Sequence, residues 1–371
     1  MSLTLVSVAS PVLAGKNPLV DHTPLVYAVI VGHNGGWGVL PQLHYADDDA
    51  LGFYRLATRL TPAKNVALLT ELDVETWRRL QLANTPPPPY LAPTKRRLQQ
   101  VLALFKRQVA LSRRQNPRRP VHLYFFFSGH GEKGYFLLKK HGDKTLDGAF
   151  TARDLRNAFI DSKATLNGLF IDACKSKSLF TAKGAPGESE LGPDFSHLIK
   201  KVEANSRGLP IGVLTSTMSD RPAGEARSIG GGFFSHVLTS GLAGAADANS
   251  DGVVRYGELA AFVSFHTRRV SGQRPWFRPP RGKMDAPLVW LTGRKDLLEL
   301  PPGFSGHFAI FDAKSGVLRM EVHKTASQWT RVILTPGDYK VVWVRSRRFG
   351  LLARVHISGR RSLRLMRRGF T

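Results

Sequence analysis

Five short apolar runs, Leu25 to Gly32, Val66 to Thr70, Val121 to Phe127, Leu166 to Ile171 and Pro210 to Ser216, are separated by amphipathic stretches. The stretches lie near residues 46–60, 94–113, 151–161 and 194–205. Strands buried on both faces read as continuous apolar runs, and intervening helices supply the crossovers that parallel strands need. The pattern predicts an α/β fold, a doubly wound, mostly parallel sheet with helices on both faces. Pro86 to Pro89 must be an extended surface connection, because a proline run can neither continue a helix nor donate to a sheet. Tyr135 to Leu146 reads as a hairpin turning at His141-Gly142-Asp143, Thr151 and Asp154 as a capping pair for the next helix, and Pro287 to Leu291 as a last strand.

After Pro301-Pro302-Gly303 the pattern changes. His307 to Phe311, Val317 to His323, Thr330 to Leu334, Tyr339 to Val344 and Ala353 to Ile357 are short strand-like segments with no helix-period stretch between them, and Pro336-Gly337-Asp338 is a turn signal. The expected organisation is an N-terminal arm over 1–22, one α/β domain over 23–298, and a small antiparallel β-sandwich over 303–371. No chemistry is visible in the sandwich.

The chain has 371 residues, 42% of them hydrophobic, which suffices for a packed core and excludes a mainly disordered protein. One cysteine, Cys174, excludes an intrachain disulfide and a multi-cysteine zinc site. No apolar run approaches the ~18 residues of a membrane-spanning helix. The formal charge is +25. Residues 94–119 hold nine Lys or Arg and no acid, and residues 340–371 hold ten and no acid. Such a field attracts polyanions or acidic proteins, but it also fits the solvated faces of a helix and some strands. No zinc-finger, RNP or Gly-Lys-Thr motif accompanies it. The first residues end an apolar stretch at Val12-Leu13-Ala14, which suits a signal-peptidase site. The basic segment that should precede it is missing, so a cytoplasmic protein is favoured over an exported one whose signal peptide is truncated.

Two of the predicted strands run into reactive residues: Leu123 to Phe127 into Ser128-Gly129-His130-Gly131, and Gly168 to Ile171 into Asp172-Ala173-Cys174. Sites in doubly wound sheets collect beyond the carboxyl ends of the strands. A thiol needs a nearby imidazole to manage its proton, because the thiolate is the attacking species. A lone cysteine is more often a small buried hydrophobe. Two such residues, each closing an apolar run, form a more specific signal.

On these residues the chain resembles the caspase-like cysteine peptidases, nearest to the metacaspase and prokaryotic orthocaspase branch. The resemblance covers residues 25–292 and includes Gly32-His33-Asn34, Leu43 to Ala50 and Gly232-Phe233-Phe234-Ser235. It implies a cysteine endopeptidase with Cys174 as nucleophile and His130 as general acid and base. The backbone amides of Gly131 and Cys174 would form the oxyanion hole, and the chemistry would need no cofactor. Caspases that read an aspartate at the cleaved position (P1) carry Gln two residues before the cysteine; here Asp172 stands there. A carboxylate pairs with Arg or Lys and repels an acid. The resemblance therefore implies a basic-P1 pocket of Asp172, Ser128 and Asp49, with Asp48 or Asp47 as alternatives because three acids run together. A helix N-cap and first-turn charge would equally explain Asp47 to Asp49. Lys175-Ser176-Lys177 departs from the usual metacaspase form. The stretch Gly184 to Gly192 suits self-processing at Lys177 or Lys183. An Asp-P1 peptidase, or an idle binding module for polyanionic or acidic partners, are the competing readings.

A second motif is independent. Asp247, Asn249, Asp251, Val253 and Glu258 fit the twelve-residue calcium loop at positions 1, 3, 5, 7 and 12, with Gly252 at the sharp turn. Helical stretches, Phe234 to Leu242 and Tyr256 to Val270, flank it. The expectation is a Ca²⁺ ion in a structural role.

Overall fold

The computed structural model describes residues 23–36, 40–132, 135–140, 145–159, 162–173, 211–216, 225–226, 229–271, 273–346 and 349–371. The first strand, β1 (Leu25–His33), leads into helix α1 (Ala46–Leu60), strand β2 (Val66–Leu69) and helices α2 (Val74–Leu82) and α3 (Lys95–Gln115). Strand β3 (Val121–Gly129) follows, then a small three-stranded sheet of β4 (Gly131–Glu132), β5 (Tyr135–Leu137) and β6 (Ala149–Thr151), and helix α4 (Ala152–Phe159). The expected hairpin tip at 141–143 lies outside the described residues, while β5 pairs antiparallel with both β4 and β6. Next come β7 (Leu166–Ala173), β8 (Ile211–Thr215), β9 (Glu225–Ala226), β10 (Gly231–Gly232), helix α5 (Phe233–Ser240), β11 (Val253–Arg255), helix α6 (Tyr256–Ser271), β12 (Trp276–Arg278) and β13 (Pro287–Trp290).

The central sheet has the order β12-β8-β7-β3-β1-β2, parallel throughout except for β12 at its edge. The α/β architecture expected from the apolar runs is the one observed. The run at Pro287 to Leu291 does form a strand, but it pairs with β11 away from the central sheet. Alternation along the strands divides the core into two layers. Ala28, Ile30, Tyr124, Phe126 and Phe170 face α1, α5 and α6, while Val29, Val31, Phe125, Phe127 and Ile171 face α3 and α4.

The helix starts follow local chemistry. Thr151 N–H donates to Asp154 Oδ2 at 2.9 Å and Asp154 N–H to Thr151 Oγ1 at 3.2 Å, the reciprocal cap expected for α4. Thr94 caps α3, whose buried face is Leu98, Val101, Leu102, Phe105 and Val109. Asp73 caps α2 by accepting from Thr76 N–H at 2.8 Å. No described helix is long and apolar enough to cross a membrane.

The remaining strands are β14 (Leu297–Leu300), β15 (Gly306–Asp312), β16 (Leu318–Lys324), β17 (Thr330–Ile333), β18 (Gly337–Val344), β19 (Gly350–Ile357) and β20 (Leu363–Arg364). They form an antiparallel sheet β16-β15-β18-β19 and a second sheet β17-β14-β20. In the second sheet β14 is antiparallel to β17 but parallel to β20. Thus Leu297 to Leu300, ahead of the Pro301-Pro302-Gly303 turn, belongs to the C-terminal sheets. One core layer runs without a break from Ile30 and Phe53 through Leu238 and Leu259 to Phe308, Val341 and Trp343.

Candidate active site

The parallel register decides which side chains meet. Gly32 of β1, Ser128 of β3 and Asp172 of β7 form one row across the sheet, and His33, Gly129 and Ala173 the next. By alternation Ser128 shares the face of Phe126, and Asp172 that of Phe170, the side α1 covers. Asp49 in the first turn of α1 reaches this row. Its Oδ2 accepts from Ser128 Oγ at 2.9 Å and its Oδ1 from Gly232 N–H at 2.9 Å. Asp172 Oδ2 accepts from Ser235 Oγ at 2.7 Å and from Ser235 N–H at 3.2 Å, and Ser216 adds a third bond.

Gly232 is where the two carboxyls converge. A Cβ there would stand 2.9 Å from Asp172 Oδ2 and 3.0 Å from Asp49 Oδ2, so only glycine permits the approach. Burial raises the pKa of both acids, and for Asp49 the charge of Asp172 adds to it, against the hydrogen bonds from Gly232 and Ser128. Burial and the nearness of a second acid both disfavour ionising the two together.

The other two acids of the run serve elsewhere. Asp47 is fully buried; it accepts from Asn34 Nδ2 at 2.8 Å and from Asp73 N–H at 3.0 Å, tying the exit of β1 to the start of α2. Asp48 pairs with Arg79 of α2. Burial and the charge of Asp47 push Asp48 up to about 8, with Arg79 opposing them. Asp49 is therefore the member of the run that meets Asp172 and Ser128.

His130 follows β3 directly and is buried. Gly129, at φ +155°, makes the turn, and a Cβ there would meet the Phe127 ring at 3.0 Å and His33 O at 3.1 Å. His130 Nε2 lies 2.7 Å from the carbonyl oxygen of Pro41. A carbonyl only accepts, so Nε2 carries the hydrogen and Nδ1 is left as the basic nitrogen. The neighbouring imidazole of His33 is lowered to about 4, by burial first and by His130 in smaller part, with Glu71 opposing, and stays neutral. Gly131 is buried immediately after His130. Strand β7 ends at Ala173. Cys174, which supplies the expected thiol and the second oxyanion donor, lies outside the described residues. So do Lys175, Lys177, Lys183 and the stretch 184–192.

Reading the sequence alone did not find Pro41, whose role is a backbone carbonyl with no side-chain signature. It also gave no role to Ser216, Ser235 or Gly232, although Gly232 and Ser235 belong to a segment it singled out.

The second motif folds as a tight loop between α5 and β11, with Ser250 and Gly252 at positive φ. Its acids close the loop on itself. Asp247 Oδ2 accepts from Gly252 N–H at 3.0 Å, Asn249 Oδ1 from Asp251 N–H at 3.0 Å, and Asp251 Oδ1 from Val253 N–H at 2.9 Å. Glu258 accepts from Ala248 N–H at 3.1 Å and Arg255 N–H at 2.9 Å. The Arg255 guanidinium sits 2.5 Å from Asp251 Oδ2. Among the described residues no three His, Cys, Asp or Glu are grouped to hold a metal ion. The five residues expected to cage Ca²⁺ are brought into one loop, where Asp247 Oδ1 is buried without a hydrogen-bond partner.

No protein-family model matches the sequence, and no curated protein does. Among solved structures the chain is similar to the crystal structure of caspase-1 from Spodoptera frugiperda. The identity is 15% and the TM-score 0.41, over 76% of this chain and 97% of that one. It is also similar to the structure of pro-sf-caspase-1, at 14% identity and TM-score 0.38, over 74% and 94% of the two chains. At these scores the similarity says nothing about this chain's chemistry.

Proposed function

We propose that the chain is a caspase-like cysteine endopeptidase that cleaves after Arg or Lys. The observation that carries this reading is the buried pair Asp49 of α1 and Asp172 of β7, bonded to Ser128 and Ser235 beside the strand ends that lead to His130 and Cys174. A P1 guanidinium or ammonium entering the notch favours ionisation of both acids and pairs with carboxylates already held by hydroxyl and amide donors. An aspartate at P1 would face the same two acids, which disfavours the Asp-directed alternative.

In the reaction the Cys174 thiolate attacks the scissile carbonyl carbon. The carbonyl oxygen becomes an oxyanion facing the amides of Gly131 and Cys174, donors typically worth ~3–4 kcal/mol each. Pro41 holds the imidazole in one tautomer and ring position. His130, having taken the thiol proton, gives it to the leaving amine as the C–N bond breaks. Water then attacks the thioester, His130 accepts its proton, and the acid product leaves with the thiol restored. The same specificity would permit self-cleavage at Lys177 or Lys183.

Fluorogenic peptides ending in Arg, Lys or Asp, assayed with the wild-type protein and Cys174→Ala, test the reading. The expected result is hydrolysis of Arg and Lys peptides that the substitution abolishes. Preference for Asp would refute the pocket, and hydrolysis of none would favour a binding module.

A further inference from the structure

Beside the acid pair, α1, α2, the Ile229–Gly231 turn, α5 and the C-terminal sheets enclose a cavity of about 420 Å³ with Asp49 and Ser235 in its wall. Its wall is rich in cations, and most of them are spoken for. Arg59 pairs with Asp296 at 2.7 Å, Arg79 with Asp48, and Arg319 with Asp312 at 3.3 Å. Arg55, on the cavity side of α1, is the exception. Its guanidinium makes no hydrogen bond or ion pair with any described residue, and the side chain is half-buried. Burial, with the like charge of Arg319 second, pulls it down to about 10 against the weaker pull of Asp48 and Asp312. Lys314 adds another positive charge at the rim.

A guanidinium has five donors in a fixed fork and cannot shed its charge at neutral pH, so leaving it half-desolvated beside a second arginine is costly unless an anion completes the arrangement. The acids of the wall cannot do so. Asp48 is paired with Arg79, Asp312 with Arg319 and Asp338 with His356, and Asp49 is taken up by Ser128 and Gly232.

We propose that this cavity is a binding site for a small oxyanion, a phosphate or carboxylate group carried by a small molecule, held by Arg55 with Arg319 and Lys314 in support. Oxyanions match the arginine fork in two-point geometry, and the cavity has room for more than a single inorganic ion. Asp49 and Ser235 also line this cavity, so the anion site adjoins the acid pair, but the proposal does not rest on the peptidase reading.

The test must distinguish this cavity from diffuse binding to a chain of charge +25. Titration calorimetry and thermal melting with sodium phosphate and, separately, sodium citrate, each against sodium chloride of equal ionic strength, would use the wild type, Arg55→Met and the exposed control Arg107→Met on α3. The expected result is saturable binding of one or both anions with a raised Tm in the wild type and Arg107→Met, weakened at least tenfold in Arg55→Met. Phosphate-only binding would identify a phosphate carrier and citrate-only binding a carboxylate carrier. Equal binding by both variants, or no saturable binding of either anion by the wild type, would overturn the proposal. If Arg55→Met fails to fold, phenylglyoxal labelling of the native wild type decides. The bound anion should slow modification of Arg55 but not of Arg107, and equal slowing at both overturns the proposal.

Discussion

Asp49 and Asp172 show what it costs to bury two acids side by side. Both acids have pKa values raised by burial, so the folded chain holds protons that the unfolded chain, near its ordinary value of 3.8, has already released. Stability contributed by these groups therefore falls as pH rises above 3.8. Asp172→Asn should raise the Tm at pH 7–8 by a few degrees, since replacing one of two like buried acids removes the conflict. The same substitution should lower kcat/KM on Arg peptides by ~100-fold, because a P1 guanidinium loses one of its two partners. In the wild type the carboxyls must ionise to hold a cation, so kcat/KM on Arg peptides should climb with pH through the raised pKa. A flat profile over pH 5–8 would remove the acid pair from the recognition step. Asp172 and Ser128 came through the resemblance, whose motifs stand at two strand ends that the apolar runs make legible. Sequence reasoning put Asp49 first but left Asp48 and Asp47 open, since three consecutive acids on a helix point about 100° apart and only the packed sheet says which one faces it.

At the level of elements, four imidazoles meet where α5 and α6 pack on β15 and β16. His266 stacks on His323 at 4.1 Å, His323 on His307 at 4.5 Å, and Glu321 lies 3.2 Å from His236 and 2.8 Å from His307. Arg269 and Lys324 share the same space. Burial, with His266 and His307 adding, lowers His323 to about 4, and burial also lowers His266. Glu321 is pushed up by burial, but its bonds to His236 and His307 outweigh this and carry it below the ordinary range. Between pH 6.5 and about 4 the unfolded chain takes up protons that His323 refuses, so stability is lost as pH falls through that window. His323→Phe, which keeps a stackable ring without a titrating nitrogen, should flatten the dependence of Tm on pH there. Some slope should remain, because burial also lowers His33 to about 4 and His122 to about 3. The cluster was invisible in the sequence, its members being scattered over four segments without a motif. The loop at 247–258 is the opposite case, a motif plain in sequence whose acids fold onto backbone amides. Because Asp247 Oδ1 is buried there without a partner, CaCl₂ should raise the Tm saturably and EDTA should reverse the rise, and an unchanged Tm would discard the ion.

Across the whole molecule, the strongest sequence signals were long buried runs, which recovered five strands of the central sheet nearly to their ends. The segments missed were short or atypical: α2, β12 at the sheet edge, and β14, whose Leu-Leu-Glu-Leu reads as the tail of the preceding domain. That last strand changes how the chain is put together. β14 pairs with β17 and β20, Gly244 lies so close to Arg331 that a Cβ would meet its carbonyl at 2.1 Å, Ser250 Oγ donates to Trp329 O at 2.6 Å, and Arg59 of α1 pairs with Asp296. One apolar layer is shared, with Leu238, Leu242 and Leu259 on one side and Phe308, Met320 and Val332 on the other. Burying a single large aliphatic side chain is worth ~1.5–3 kcal/mol, and net stability of a domain is only ~5–15 kcal/mol. Exposing half a dozen such residues at once therefore exceeds what the remaining fold can offset. A chain ending at Pro302 should lose cooperative thermal unfolding and near-ultraviolet circular dichroism, and should bind a hydrophobic dye, even though it retains His130, Cys174 and the acid pair. A truncated chain that melts cooperatively within a few degrees of the full protein would mean that the C-terminal sheets are an appendage, and that the shared layer contributes little to holding the strand ends in place.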